Sequence, residues 1–381
     1  MWTDSKSGQN ETLSLCRSAA ATMTTSLLTR WTWLLPLVGI LLLISNLPLA
    51  SSTGLLALSA IVLAGVVFAA VHHAEVIAHR IGEPFGTLVL AVAVTIIEVA
   101  LIVSAMLADG PEKAALARDT VYAAVMLVCN GIVGLCLLAG GWQHREQGFQ
   151  IFGASASLNV LTVLAVMTLV LPNFTQTISG PVMSASQLGF IGLLSLVLYG
   201  VFVFVQTVRH RDYFLAPERD DADAHAPPPT AKAAWLSLGL LLLSLVAVVL
   251  LAKALTPVIE RMVIRAGAPE AVVGILIAAL VLLPEGVAAV RAARANRLQT
   301  SINLALGSAL ASIGLTIPAV AFVFIASGDP LILGLGAKEM VLLALTLLVS
   351  SVTLSTGRTT IMQGAVHLTI FGAFLFLSVV P

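Results

Sequence analysis

Long apolar stretches, separated by a few polar residues, follow one another along almost the whole chain. A transmembrane helix needs about 20 mostly apolar residues, and eleven stretches approach or exceed that length. We therefore predict eleven membrane-spanning helices, at residues 30–47, 54–72, 86–107, 119–140, 150–171, 186–207, 233–256, 270–290, 300–325, 338–355 and 361–380. The polar segment 1–29 precedes the first span. No clean cleavage site follows that span, so we expect it to be retained.

The composition agrees with a protein built for the bilayer. Of its 381 residues, 59% are hydrophobic and only 10% are charged, whereas soluble domains carry about 25% charged residues. The formal net charge is zero, which gives no electrostatic reason to expect a nucleic-acid partner. Two of the three cysteines, Cys129 and Cys136, fall in one apolar stretch, and we expect small buried residues there rather than a metal or redox pair.

The distribution of Lys and Arg predicts the orientation. With a cytoplasmic N-terminus, thirteen of these residues fall on the inner side and six on the outer side. Because cytoplasmic loops carry the excess of positive charge, we predict a multi-pass protein of the cell inner (cytoplasmic) membrane, with its N-terminus inside and its C-terminus outside.

Two glutamates stand at matching places in two halves of the chain. The longest polar break, the acidic and proline-rich linker 208–232, divides the first repeat, 54–207, from the second, 233–381, after an extra first helix at 30–53. Each half contains five predicted spans, and an odd number reverses the direction of the second half. Glu98 and Glu285 both lie in the second span of their half. Inverted repeats of this kind are typical of transporters, whose ion sites lie near the membrane midplane.

Buried carboxyl groups suit the exchange of cations for protons. A charged residue at membrane depth costs roughly 2.5–3.5 kcal/mol on insertion scales, so Glu98 and Glu285 indicate a function. Desolvation favours the protonated form of a carboxyl group and a bound cation favours the ionised form. Cation and proton then compete for the same oxygens, and a site that faces the two sides in turn becomes an antiporter without a cofactor. Ca²⁺, Na⁺ and K⁺ all suit oxygen ligands.

Other polar residues are weaker candidates. Mid-span oxygens could complete a cation shell, although helix packing explains them equally well; these are Thr95, Asn130, Ser308 and Ser312. A second group could act as a proton relay or as a gate: His72, Glu75, His79 and Glu83. An interfacial polar network, or an ordinary turn in the case of Glu83, is the alternative explanation. Pro284, directly before Glu285, indicates either a broken helix or an accommodated kink. We expect His367 to be a hydrogen-bonded helix contact.

Several motifs of the chain are typical of one protein family. They are the segment His73–Gly86, the glutamate motifs Ile-Ile-Glu98 and Leu-Pro-Glu285-Gly286, and the closing segments Ser355–Thr359 and Gly364–Leu368. These motifs resemble the bacterial ChaA group of calcium/cation–proton antiporters. That group belongs to the CAX family of the cation/calcium exchanger superfamily. The resemblance covers about residues 30–381. It implies an all-α polytopic fold of one extra helix plus five-plus-five inverted helices, with Glu98 and Glu285 in the ion site.

The chain departs from the CAX pattern next to both glutamates. Many members have a Gly-Asn pair there, where this chain has Val94-Thr95 and Val281-Leu282. Because the amide oxygens that favour Ca²⁺ are missing, Na⁺ and K⁺ stay open beside it.

Two other functions need to be weighed. An intramembrane metalloprotease usually shows His-Glu-x-x-His on one helix, and the string His72-His73-Ala-Glu75-Val-Ile-Ala-His79 lacks that spacing. A passive cation channel usually places identical sites around a central axis. This chain instead builds one pseudo-symmetric site from its two halves. We therefore predict a secondary transporter, not an enzyme. Its partners are inorganic cations, protons and the lipid bilayer, and homo-oligomerisation is left open.

Overall fold

The protein is almost entirely helical. The computed structural model describes residues 31–45, 53–82, 85–106, 114–215, 229–269, 271–328 and 331–380. These contain eleven helices: α1 (Trp31–Ile44), α2 (Thr53–Ile81), α3 (Phe85–Met106), α4 (Leu116–His144), α5 (Ile151–Phe174), α6 (Ala185–Arg209), α7 (Ala231–Arg265), α8 (Ala271–Arg294), α9 (Leu298–Ala326), α10 (Ala337–Leu354) and α11 (Ile361–Val379). Nine of the described helices are long and apolar enough to cross a membrane, and shorter apolar helices occur in α1 and α3. The prediction of an all-α polytopic protein is confirmed.

Some helices extend beyond the apolar stretches that predict them. The prediction ends the second span at residue 72, whereas α2 continues to Ile81 and carries His72, Glu75 and His79 on its last turns. Likewise α7 reaches Arg265. The apolar stretch marks what is buried, but backbone hydrogen bonds continue through polar residues, so a helix does not stop where hydropathy falls.

The core forms two clusters. One lies between α1, α2, α3 and α7, where Val66 and Ala70 of α2 meet Val248 and Leu251 of α7, all with no solvent exposure. The second and larger cluster holds α4, α5, α6, α9, α10 and α11 together. The α3 and α8 helices, which carry the two glutamates, contribute residues to both clusters. The glutamates therefore lie where the two parts of the protein meet.

Two helices widen at mid-length into a π turn. In α4 the π turn is Leu127–Ile132, and in α9 it is Ser312–Thr316. The α3 helix packs against the π turn of α9, and α8 packs against that of α4. At the second crossing a Cβ atom added to Gly286 would lie 3.2 Å from Ile132. Each glutamate-bearing helix thus lies against a π turn of the other half, and π turns recur at functional sites.

The helix around Pro284 is continuous. It runs from Ala271 to Arg294 with the proline inside it. Of the two sequence-based readings, the structure shows the accommodated one.

The ends of α4, α6, α8 and α10 meet at one face of the protein. Strand β1 (Gln147–Gly148) follows α4 and pairs antiparallel with β2 (Arg358–Thr359), which follows α10. His144 Nε2 lies 2.9 Å from the carbonyl oxygen of Arg294, and Asn303 of α9 donates to the carbonyl of Phe214 beyond α6. We call this the arginine-rich face, after Arg145, Arg209, Arg211, Arg291, Arg294, Arg297 and Arg358.

A buried polar network joins α4, α10 and α11. The Asn130 side chain donates to Thr346 Oγ1 at 2.8 Å, and its oxygen lies 3.3 Å from His367 Nδ1. The other ring nitrogen of His367 lies 3.2 Å from Thr353 Oγ1. All four residues are buried, so the hydrogen bonds satisfy groups that would be costly to leave unpaired. His367 is a hydrogen-bonded helix contact, as expected.

Close packing of α11 on α4 depends on a glycine, which gives a testable prediction. A Cβ atom at Gly364 would lie 2.5 Å from the backbone nitrogen of Leu138. Gly364→Ala should therefore destabilise the protein by roughly 1–3 kcal/mol. On the same helix, Gly372 has no atom within 4 Å of that position, so Gly372→Ala should be neutral or slightly stabilising. Thermal unfolding of both variants in detergent checks the opposite signs, and equal effects would contradict the packing described.

Candidate ion-binding site

Glu98 is enclosed within the protein. It lies on α3 with 2% of its surface exposed. The hydroxyl groups of Ser312 and Thr316, in the π turn of α9, lie within interaction distance of its carboxyl group. Both residues are buried as well. Glu98 is thus enclosed by the protein, with hydroxyl groups of α9 beside its carboxyl group.

Glu285 lies on the wall of a cavity. The cavity has a volume of about 300 Å³ and lies between α6, α8 and α9. Its polar lining comes from Glu285 together with Gln206, Thr207, Arg211, Thr300, Asn303 and Ser308. Several of these residues belong to the end of α6 and the start of α9, so the cavity leads from Glu285 towards the arginine-rich face. Water and ions from that face therefore reach Glu285 more readily than Glu98.

The two glutamates are close enough to influence each other. The charge of Glu98 acts on the carboxyl group of Glu285, and so does the charge of Glu75 on α2. Like charges in an interior of low dielectric repel strongly. Glu98 and Glu285 are therefore costly to ionise together without a counter-charge, which a cation or a proton supplies.

Three oxygens at the glutamates have no hydrogen-bond partner among the described residues, although all are shielded from solvent. They are Glu98 Oε2, Glu285 Oε2 and Ser308 Oγ. Buried polar atoms are nearly always hydrogen-bonded, so unpartnered oxygens on α3, α8 and α9 indicate a place for a ligand. Together with the hydroxyl groups beside Glu98, they are a suitable ligand set for a hard cation.

A second, apolar crevice lies between helices that include those carrying the glutamates. A small crevice of about 60 Å³ between α2, α3, α7 and α8 is lined by residues such as Leu63, Leu101, Leu255 and Ile277. Leu101 lies one turn beyond Glu98 on α3. The polar cavity beside Glu285 leads towards the arginine-rich face, whereas this crevice is lined almost entirely by apolar side chains.

The structure brings together some predicted candidates and separates others. Ser308 and Ser312 face the glutamates, and Thr95 is buried on α3, one turn from Glu98. The amide of Asn130 is engaged with Thr346 and His367. On α2, Glu75 and His79 are exposed and His72 is partly buried, whereas Glu83 lies outside the described residues.

Three structural features were not predicted from the sequence. Thr316 follows Ser308 and Ser312 at a spacing of four residues, and this stripe of hydroxyl groups was the available signal. The cavity depends on tertiary packing and has no sequence signal. His73, rather than His72, is the buried histidine of α2; its ring nitrogens lie 3.3 Å from Ser237 Oγ and 3.2 Å from the carbonyl of Thr32.

A cluster of metal-ligating side chains, as in a metalloenzyme, is not found in the part of the chain that the structure describes. No group of three or more His, Cys, Asp and Glu side chains is placed to hold a metal ion there. Cys129 and Cys136 are free and buried, which agrees with the expectation of small buried residues. Two carboxyl groups with hydroxyl groups beside them are the candidate ion site among the described residues.

A multi-helix membrane protein with paired intramembrane carboxylates and a cavity open to one face belongs to the class of cation transporters. The family model described as "Sodium/calcium exchanger protein" matches residues 51–208 and 236–380. The chain belongs to this family of exchangers. Because its members are transporters, the prediction that the protein is not an enzyme is confirmed.

Individual relatives agree with this assignment. The chain is 54% identical over 359 residues to "Putative ionic transporter y4hA" of Sinorhizobium fredii, covering 92% of this chain and 96% of that protein. It is 38% identical over 334 residues to "Sodium-potassium/proton antiporter ChaA" of Escherichia coli, covering 87% and 89%. A solved structure of the "H+/Ca2+ Exchanger CAX" shares the fold, with a TM-score of 0.66 and 15% identity over 84% of this chain and 81% of that one. The predicted resemblance to ChaA-type antiporters is confirmed.

The cavity yields a second prediction. Gly307 lines it and has no atom within 4 Å of an added Cβ. Gly307→Leu should fold normally but fill part of the cavity, and the exchange rate should fall at least about tenfold, which corresponds to roughly 1.4 kcal/mol of added barrier. Gly239→Leu, on an exposed and equally open position of α7, is the matched control. Proton-gradient dissipation in inverted vesicles measures both, and an unchanged rate in Gly307→Leu would show that ions do not use the cavity.

Proposed function

We propose that the protein is a secondary active transporter that exchanges a cytoplasmic cation for external protons at a site formed by Glu98 and Glu285. The cation is Ca²⁺, Na⁺ or K⁺. The observation that carries the proposal is the pair of buried carboxyl groups, one from each half of the chain, each with an oxygen that lacks a hydrogen-bond partner among the described residues. Membership of a family of exchangers supports it independently.

The mechanism follows from competition for these oxygens. In a dry surrounding a carboxyl group keeps its proton unless a cation replaces it. When the site faces the cytoplasm, cations reach Glu285 through the cavity and displace protons. When it faces outside, external protons displace the cation. Since the site is neutralised by either species, changes of access do not carry unpaired negative charge through the membrane.

The two halves act as inverted repeats in this proposal. The α3 and α8 helices hold equivalent positions, and each crosses a π turn of the opposite half. The α2 and α7 helices lie alongside each other in their own cluster. Repeats of this kind place ion sites at the midplane and permit access from each side in turn.

The orientation of the cavity fits a cytoplasmic cation. The arginine-rich face is the cytoplasmic one under the positive-inside rule, with the N-terminus inside and the C-terminus outside, in the inner (cytoplasmic) membrane. The cavity leads to this face. The described conformation is then the inward-facing state, in which the cation loads.

Several residues have secondary roles in the proposal. Ser308 and Ser312 supply hydroxyl oxygens beside the glutamates. Glu75 lies close enough to Glu285 to affect it electrostatically, which suits a proton relay along α2 with His72 and His79. The side chains before the two glutamates, Thr95 and Leu282, lack the amide of many CAX members, and the relative named for sodium, potassium and protons favours monovalent cations as substrates.

The assignment of the two glutamates gives a third prediction. Glu98→Gln and Glu285→Gln keep the shape of the side chain but cannot take up a proton or neutralise a cation. Each should reduce exchange at least about a hundredfold, or roughly 2.7 kcal/mol, while insertion and yield persist. Glu146→Gln, at an exposed carboxylate paired with Arg358, is the control. A Glu98→Gln or Glu285→Gln protein that exchanges at the normal rate would rule out the site.

Coupling separates this function from a passive channel. In sealed proteoliposomes, an imposed proton gradient should drive the cation against its own concentration gradient, since each turnover links the two fluxes. A channel only lets the cation run down its gradient. Uptake of radioactive Na⁺, K⁺ or Ca²⁺, with and without an uncoupler, makes the measurement. Cation flux that ignores the proton gradient would favour the channel.

A further inference from the structure

The residue that follows Glu285 packs against one side chain of α4. A Cβ atom added to Gly286 would lie 3.2 Å from Ile132 Cδ1 and 3.4 Å from its Cγ1, so α8 approaches Ile132 closely at this point. Ile132 is the last residue of the π turn Leu127–Ile132. The position of the Glu285 backbone therefore depends on where this π turn lies.

Side chains fasten the same π turn to α10 and α11. Asn130 has no solvent exposure. Its amide nitrogen donates to Thr346 Oγ1 of α10 at 2.8 Å, and its oxygen lies 3.3 Å from His367 Nδ1 of α11. His367 also lies by the backbone carbonyl of Cys129, in the same turn. Because π turns are rare and recur at functional sites, contacts that hold one in place have a stated use here.

The directions of these hydrogen bonds give each ring nitrogen of His367 a different role. Because the Asn130 amide nitrogen donates to Thr346, the amide oxygen is left to accept, and His367 Nδ1 donates to it. Nε2 of the neutral ring then carries the lone pair and accepts from the hydroxyl group of Thr353, 3.2 Å away on α10. Nδ1 thus serves the π turn, and Nε2 serves α10.

We propose that His367 is a positioning residue for exchange, whose hydrogen bond from Nδ1 to Asn130 holds the π turn of α4 where Ile132 sets the position of Glu285. This inference rests on the proposed function, because it concerns the same site. Among the described residues that line the cavity beside Glu285, His367 does not occur. It therefore acts through the π turn and not as a ligand of the cation.

Two substitutions separate the two sides of the ring. Asparagine places an amide nitrogen near the position of Nδ1, and glutamine reaches the position of Nε2. His367→Asn therefore keeps a donor to Asn130 and loses the contact with Thr353, whereas His367→Gln does the reverse. Since each variant gives up one buried hydrogen bond, both should lose similar stability in thermal unfolding without added cation.

Cation affinity should distinguish these two variants. Proton-gradient dissipation in inverted vesicles, with Na⁺, K⁺ and Ca²⁺ added separately at fixed pH, gives the half-saturating concentration of each cation that the unmodified protein exchanges. This concentration should rise about tenfold in His367→Gln, as expected when a group that orients a ligand is lost, and stay within about twofold in His367→Asn. A role in stability alone would affect both variants alike.

Ile132→Val tests the same path from its other end. The change removes Cδ1, the atom nearest to the added Cβ of Gly286, and leaves the hydrogen bonds of Asn130 and His367 in place. The half-saturating concentration should rise in the same direction by a smaller factor. Ile370→Val, at a buried isoleucine of α11 in the same core cluster, is the matched control and should behave as the unmodified protein.

The outcomes decide the proposal. Equal half-saturating concentrations in His367→Asn and His367→Gln overturn it, and so does an unchanged value in Ile132→Val or an equal change in Ile370→Val. Should neither histidine variant fold, the comparison of Ile132→Val with Ile370→Val decides alone. Glu98→Gln and Glu285→Gln run in parallel keep the two proposals apart. If they lose exchange while His367→Gln is normal, only the positioning role fails; if they exchange normally, the proposed function fails and the positioning role with it.

Discussion

A carboxylate removed from water must be neutralised by something, and this constraint governs the arrangement of the protein. Glu98 is almost fully enclosed, and Glu285 lies at the inner wall of a cavity and close enough to Glu98 and Glu75 for mutual repulsion. Isolated ions in such a medium are too costly to persist. In the proposed mechanism the site holds either protons or a cation, and this alternative is the chemical basis of exchange.

The rest of the fold holds the two glutamates in the position where either protons or a cation can neutralise them. The glutamates lie on α3 and α8, which contribute to both core clusters. A relative movement of the clusters would therefore alter access to the glutamates while the packing inside each cluster is retained. Within the larger cluster, a close glycine contact joins α11 to α4, and hydrogen bonds join α4, α10 and α11 through His367, Asn130, Thr346 and Thr353.

The helices and the two glutamates could be predicted from the sequence because membranes impose strong constraints. In the bilayer, every backbone group must be satisfied within a helix, so long apolar stretches give eleven helices and leave few alternatives. The positions of Glu98 and Glu285 were visible for the same reason, since a charge in an apolar run has no structural explanation. The ends of α2 and α7, by contrast, were placed too early, because helices continue through polar residues that hydropathy excludes.

The details of the site needed tertiary structure. Asn130 and Thr316 illustrate the limit: the sequence presents an amide and a hydroxyl in corresponding helices, but not their direction. In the folded protein Asn130 turns to Thr346 and His367, while Thr316 turns to Glu98. The two halves are thus similar in helix order but different in the oxygens they present.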